Sequence, residues 1–238
     1  MTFTFKPSWL MSFATLVCVV LFIKAGFWQY NKAQFKQKQQ LQLNARQVER
    51  PLTLIKPMIG IKDLNYKRVK LQGIYRQDYQ IFLDNQVENT KVGYHVITPL
   101  HVKGSQQVVL INRGWIKGAN KRQLPHVITP SGLQIIEGSI SVPADRFFTL
   151  EAPVVEGIKW QSIWQHLDLK RYVKSVPFNV QPFLIRLDAQ SSAGGFVRNW
   201  PIPSERVTKH LGYAYQWFGF ALTVFVIYIV LNIKKVER

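Results

Sequence analysis

Two long apolar stretches lie near the ends of the chain, and each is suited to a helix that crosses a bilayer. The first, residues 7–23, has no charged residue and is followed by Lys24. The second, residues 211–233, is also uncharged and ends at Lys234 and Lys235. A bilayer core requires about 20 apolar residues in a helix, and a lysine near the end of a span reaches the headgroups. The pattern therefore predicts membrane helices at residues 8–30 and 210–233.

The first apolar stretch has a second interpretation, as a cleaved secretory signal peptide. Lys6 ahead of an apolar centre fits that interpretation. The apolar run is long, however, and no clean small-x-small cleavage site follows it, which favours an uncleaved anchor. The second stretch has no such alternative, and its first half carries the aromatic residues typical of an interfacial belt: Tyr213, Tyr215, Trp217, Phe218 and Phe220.

The segment between the spans, residues 31–209, shows mainly the pattern of β-strands. Polar and apolar positions alternate in residues 68–75 with the period of a half-buried strand. One short helix is expected within residues 160–172, and the Gln- and Lys-rich residues 31–48 should continue the first helix out of the membrane. Five more strands are expected, at residues 79–83, 93–98, 108–112, 133–142 and 182–187.

The fold prediction is an α+β membrane protein in which two transmembrane helices flank one mostly β extramembrane domain. The domain would occupy residues 31–209, and residues 234–238 would form a cytoplasmic tail. Two spans place both termini on one side of the membrane and the domain on the other. Lys6 is outnumbered by the lysines that follow the first span, which by the positive-inside rule would put the domain in the cytoplasm. That rule weakens for long translocated domains, so the charge count leaves the orientation open.

The charge balance is strongly basic, with 31 Lys and Arg against 13 Asp and Glu and a net charge of +18. Such a balance is ordinary for proteins that bind nucleic acid or anionic lipid. The two spans favour membrane lipid, and no groove-reading or stacking motif supports nucleic acid. The single cysteine, Cys18, excludes an internal disulfide and a cysteine-based metal site.

No catalytic constellation is evident, and we expect no enzymatic activity. The carboxylates are scattered without a spacing that pairs an acid with a base, and the Gly-x-Ser-x-Gly elbow is absent. The histidine at the mouth of the second span, His210, is the strongest candidate for chemistry. On a helix it shares a face with Ala214, Trp217 and Ala221, and the two alanines would leave a shallow slot for a flat apolar ring.

The opposite face of the second span carries small and polar residues that would suit packing against another membrane helix: Gly212, Gln216, Gly219 and Thr223. Spacing alone leaves two interpretations of His210. It is either a ligand to haem iron through an imidazole nitrogen or an amphipathic anchor at the membrane interface.

Several motifs, taken together and in order, resemble the surfeit-locus-one (Shy-one) family of cytochrome c oxidase assembly proteins. The resemblance runs nearly end to end. It departs from the family pattern at Lys32, Gln86 and Lys117. The motifs that carry it are Gly26-Phe-Trp-Gln29, Gly73-Ile-Tyr75, Leu83-Asp-Asn85, Gly93-Tyr-His-Val-Ile-Thr-Pro-Leu100, Val109-Leu-Ile-Asn-Arg-Gly-Trp-Ile116 and His210-Leu-Gly-Tyr-Ala-Tyr-Gln-Trp-Phe-Gly-Phe-Ala221.

The resemblance implies a domain outside the cytoplasm, which overrides the charge count, and a role in building haem-copper oxidases. It implies haem a as the cofactor, His210 as the haem-iron ligand, and cytochrome c oxidase subunit one and the haem a synthesis machinery as partners. His95, which also lies in a family-like motif, is the next candidate ligand. Because the N-terminus lacks an Arg-rich transit peptide, we predict a bacterial inner membrane protein with a periplasmic domain.

The predicted cofactor-binding residues are His210, Ala214, Trp217 and Arg113. Gly114 is expected to permit a tight turn and Trp115 to fill the core, whereas Arg113 would either pair with a domain carboxylate or bind a haem propionate. The leading functional hypothesis is an assembly chaperone that presents haem a to subunit one. The alternative is a membrane-anchored scaffold for assembly intermediates that does not bind haem, and a membrane-anchored enzyme is the least supported.

Overall fold

The chain folds into two compact units, Met1–Gln42 with Pro201–Arg238 and Leu43–Trp200. The computed structural model describes residues 2–53, 61–118, 124–143, 160–201 and 204–236. The elements in chain order are β1 (Thr2–Phe5), α1 (Trp9–Gln47), β2 (Arg68–Tyr75), β3 (Ile81–Glu88), β4 (Lys91–Val102), β5 (Val108–Lys117), β6 (Leu133–Ser141), β7 (Ile163–Trp164), α2 (Leu169–Ser175), β8 (Val180–Leu187), α3 (Ser204–Asn232) and β9 (Ile233–Val236).

The first unit is a pair of long helices, α1 and α3, both long and apolar enough to cross a membrane. In their most apolar windows only 6% and 11% of the residues are buried, so neither resembles a core helix of a soluble domain. Strand β1 pairs antiparallel with β9, which brings the two ends of the chain together. Both termini therefore lie at the same end of the helix pair, as the sequence predicts.

Helix α1 is unbroken over 39 residues. At 1.5 Å per residue it is about 58 Å long, roughly twice the thickness of a bilayer core. The polar residues after position 31 therefore extend the same helix beyond the apolar span, and the expectation that they continue the first helix is confirmed as far as Gln47.

The second unit is built on a seven-stranded sheet that closes on itself. Its strand order is β2-β6-β8-β5-β4-β3-β7, and β2 also pairs with β4 through residues 73–75 and 100–102. Strands β2, β6, β8, β5 and β4 thereby form a closed five-stranded barrel. Strands β3 and β7 extend the sheet beyond β4. Closure leaves these five strands without the unpaired edges that promote aggregation.

Strand β5 separates two apolar cores, which explains why its sequence is apolar at consecutive positions. Val109 and Ile111 point into the barrel core. Leu110, between them, packs in a second core with Trp164 and Tyr172. Because side chains alternate across a strand, Arg113, two positions after Ile111, is also directed at the barrel interior.

The predicted fold class is confirmed: two apolar helices flank one mostly β domain. Strand β2 has the predicted bounds, whereas β4 and β5 are longer than expected. Strand β4 continues through Pro99, whose carbonyl accepts a hydrogen bond from the backbone N–H of Arg76. The expected helix within residues 160–172 is displaced, because residues 163–164 pair with β3 and α2 begins only after its N-cap Asp168.

Candidate functional site

The two long helices contact each other closely at Gly26 of α1. A Cβ atom at Gly26 would lie 2.5 Å from the ring of Phe218 on α3, so any larger residue at this position would require that ring to shift. Aromatic rings surround the contact, with Phe27 5.4 Å from Phe218 and Phe22 5.7 Å from Trp217 between ring centroids. Small residues that let two backbones approach are the usual basis of helix association in membranes.

One helical turn from this contact, the His210 ring meets the side chain of Gln29. The Nδ1 atom of His210 lies 2.8 Å from Oε1 of Gln29, and both residues are half-buried. An amide oxygen only accepts hydrogen bonds, so this pairing requires His210 to carry its proton on Nδ1. In the neutral ring the other nitrogen, Nε2, then keeps its lone pair, and among the described residues it has no hydrogen-bond partner.

The slot expected beside His210 is closed by the packing of the two helices. Ala214 is 1% exposed and Ala221 is 7% exposed. Both lie on the stripe of α3 that includes His210 and Trp217, which contact Gln29 and Phe22 on α1. The alanines therefore let α1 approach rather than leaving room for a flat ring.

The face of α3 that carries small and polar residues does not meet α1. It is exposed, a Cβ atom at Gly212 or Gly219 would meet nothing within 4 Å, and its packing against another membrane helix stays a prediction. Helical periodicity identified two distinct faces correctly, but it does not say which of them meets the neighbouring helix. Trp217 is half-buried in an aromatic group with Phe22 and Phe220.

Arg113 lies in the other unit, fully buried inside the barrel. Its guanidinium donates hydrogen bonds to the carbonyl oxygens of Gly194 (2.6 Å) and Ile128 (2.7 Å) and to Oγ1 of Thr129 (2.9 Å). It also lies between the rings of Tyr75 and Phe196, at 5.2 and 5.0 Å from their centroids. Three separate segments of the domain are thus held by one side chain.

The Arg113 guanidinium has no carboxylate partner among the residues that the structure describes. Burial lowers its pKa, and the nearby Tyr75 hydroxyl opposes that shift. A buried cation without an anion is costly unless polar groups surround it, and here carbonyl oxygens, hydroxyls and aromatic faces do so. The interpretation in which Arg113 pairs with a domain carboxylate is therefore not supported by the residues that the structure describes. Its binding to a haem propionate stays a prediction.

Gly114 and Trp115 have structural roles, as expected from the sequence. Gly114 has φ +114°, and a Cβ atom there would lie 2.6 Å from the carbonyl oxygen of Val197. Rather than a tight turn, the glycine permits residues 196–198 to lie directly on β5, where the backbone N–H of Trp115 donates to Val197. Trp115 is 8% exposed, and its indole N–H donates to the carbonyl of Gln86.

His95 differs from His210 in its ring chemistry. The Asn112 amide accepts from the backbone N–H of Gly114 through Oδ1, which turns its Nδ2 toward Nδ1 of His95 at 3.4 Å. Nδ1 of His95 is therefore an acceptor and its proton lies on Nε2. Burial, with help from Arg186, lowers the pKa of His95 to about 4, so the ring is neutral at neutral pH.

The residues that the structure describes offer no site for a metal ion that needs several protein ligands. No three His, Cys, Asp or Glu side chains converge there in a way that could hold a metal ion. A group that needs only one protein ligand, such as a haem, does not require such a cluster.

Among the predicted site residues, the structure brings together His210, Ala214 and Trp217, which share one face of α3, whereas Arg113 belongs to the barrel unit. Gln29, the hydrogen-bond partner of His210, was not predicted from the sequence. A signal was present, because each of the two residues belongs to a family-like motif. Gln29 lies at the end of the first predicted span and His210 at the start of the second, which places them on the same side of the predicted membrane. Pairing them requires the register between two helices, which the sequence does not provide.

These features define a class of protein in which a closed β-barrel domain is joined to a pair of apolar helices suited to a membrane. A family profile described as the SURF1 family matches residues 16–222, and the chain belongs to that family. The resemblance found in the sequence motifs is thus confirmed. SURF1 is a family of assembly factors and is not a known class of enzymes.

Relatives extend from bacteria to vertebrates. The chain is 25% identical over 225 residues to a SURF1-like protein of Rickettsia felis, covering 90% of this chain and 93% of that protein. It is 26% identical over 230 residues to a SURF1-like protein of Rickettsia prowazekii, covering 92% and 88%. It is 25% identical over 242 residues to the Surfeit locus protein 1 of Xenopus tropicalis, covering 93% and 75%.

Replacing Arg113 by Lys should destabilise the barrel by about 2–4 kcal/mol, because an ammonium group cannot bridge the same three segments and remains buried. Denaturant unfolding of the full chain in detergent measures this, with the exposed Arg50→Lys as the matched control. A variant Arg113→Lys that unfolds like the wild type but fails to bind haem would contradict the structural role.

Lowering the pH should decrease the free energy of unfolding of the wild-type protein more than that of the His95→Gln variant. The unfolded histidine binds a proton below pH about 6.5, whereas the folded one does so only near its lowered pKa of about 4. The free energy of unfolding therefore decreases as the pH falls through that interval. Thermal unfolding of the full chain at pH 7.5 and 5.0 measures the effect, with the exposed His126→Gln as the control. Equal acid sensitivity in the wild type and His95→Gln would refute this assignment.

Proposed function

We propose that this protein assists the assembly of a haem-copper cytochrome c oxidase by holding haem a, as cargo, for insertion into subunit one. His210 would bind the haem iron. Membership of the SURF1 family supports the assembly role. The observation that supports haem handling is the Gln29–His210 pair, with 2.8 Å between Oε1 and Nδ1.

The residues around His210 suit a haem in their chemistry. A neutral imidazole with a proton on Nδ1 offers Nε2 as an iron ligand. The apolar surface of the helix pair, including the half-buried Trp217, suits the apolar macrocycle and tail. Haem a supplies the redox iron that the oxidase requires, and the residues of this chain would bind, orient and release it. Because Ala214 is buried in the helix pair, its proposed part is to set the helix spacing beneath the ligand.

We further propose that the helices lie in a bacterial inner membrane, with the barrel in the periplasm. The two apolar helices support a location in a membrane, and the relatives from Rickettsia support a bacterial one. The proposed partners are subunit one, the haem a synthesis machinery and membrane lipid. The basic net charge of +18 favours anionic lipid as a neighbour of the chain.

Replacing His210 by Ala should abolish the haem absorption spectrum of the protein purified from cells that make haem a. Alanine removes the ligand but keeps the helix propensity, so the variant should insert at a normal level. Optical spectra at equal protein concentration measure the loss, with the exposed His126→Ala as the matched control. Retention of the spectrum in His210→Ala would show that the axial assignment is wrong. A wild-type protein without haem would favour the scaffold alternative.

A further inference from the structure

We infer that Gln29 is the positioning residue for His210, and that it selects which imidazole nitrogen is presented to a ligand. This inference rests on the proposed function for its haem-binding consequences, but its geometric basis is independent of it. The carboxamide of Gln29 comes from α1 and the ring of His210 from α3, and they meet at 2.8 Å. No other described side chain or backbone group forms a hydrogen bond to this ring.

The chemical consequence follows from the nature of the acceptor. Neutral imidazole has two tautomers, and the group bound at one nitrogen decides which nitrogen stays basic. Gln29 accepts through Oε1, so the proton is held on Nδ1 and the lone pair is directed along Nε2. The same hydrogen bond fixes the rotation of the ring. Second partners of this kind orient histidine ligands in metal sites and raise their basicity.

The contrast with His95 shows that this arrangement is specific within the chain. At His95 the partner is an amide nitrogen, Nδ2 of Asn112, which donates to Nδ1 and leaves the proton on Nε2. Two histidines of one protein are thus held in opposite tautomers by amide side chains. Only the tautomer at His210 offers Nε2, the nitrogen farther from the backbone, as the electron-pair donor.

The position of Gln29 also separates its role from simple packing. Gln29 lies three residues from Gly26, where α1 lies against the ring of Phe218. A change at Gln29 therefore leaves the contact between Gly26 and Phe218 in place. The carboxamide can be replaced by groups of similar size that keep or remove the acceptor, which allows its chemistry to be tested without loss of the helix pair.

Three variants of the full-length protein in detergent or nanodiscs test this inference: Gln29→Leu, Gln29→Glu and the matched control Gln37→Leu, an exposed glutamine on the same helix. We expect Gln29→Leu to weaken binding of ferric haem a by about 10–100-fold. Gln29→Glu keeps an acceptor, so it should retain haem with a more negative midpoint potential, because a carboxylate makes the imidazole more electron-donating. Gln37→Leu should match the wild type.

A second measurement does not depend on haem. The imidazole ¹⁵N chemical shifts of His210 in the haem-free protein should show the Nδ1–H tautomer in the wild type and in Gln37→Leu, and a mixture of tautomers in Gln29→Leu. Wild-type haem affinity in Gln29→Leu together with an unchanged His210 tautomer would overturn the inference. Retention of haem by His210→Ala would refute the proposed function instead, and the ¹⁵N shifts would still decide the role of Gln29.

Discussion

The arrangement at His210 depends on one steric constraint, the close approach of α1 to α3 at Gly26. The ring of Phe218 occupies the space that a side chain at this position would need. This approach brings the carboxamide of Gln29 within hydrogen-bonding distance of His210. The burial of Ala214 continues the same contact along α3. Because apolar helices gain little from burial in lipid, such shape complementarity is what fixes their register, and the register in turn fixes the imidazole.

The barrel is held by a different device, a cation enclosed by protein oxygens. Arg113 continues the inward-facing positions of β5, and its shortest hydrogen bonds go to two segments that are distant in sequence, residues 128–129 and Gly194. The neighbouring Gly114 lets a further segment lie against the same strand. The motif around Arg113 is therefore explained by assembly of the domain. The histidine motif of α3 is not explained in this way, since the only hydrogen bond of its ring among the described residues is the one that Gln29 accepts.

Patterns of local periodicity were enough to predict much of the fold. Strand β2 has its predicted bounds because one of its faces is buried and the other exposed, which produces strict alternation. Strand β5 was predicted too short, since a buried arginine and a glycine with φ +114° do not resemble a strand interior. The open slot on α3 was wrong because periodicity defines a face but not its neighbour. The pairing of Gln29 with His210 was beyond the sequence for the same reason: it depends on a contact between residues 181 positions apart.

Under the proposed function, the fit of the two helices, and not the mere presence of His210, creates the haem ligand. The most direct test is the affinity of the full-length Gly26→Leu variant for ferric haem a, with Gly219→Leu as the control, because a Cβ atom at Gly219 meets nothing within 4 Å. Both variants keep His210 and Gln29. The account predicts that Gly26→Leu binds at least about tenfold more weakly than the wild type, as expected when a second partner of a metal ligand is lost, while Gly219→Leu is unchanged. Wild-type affinity in Gly26→Leu would contradict it.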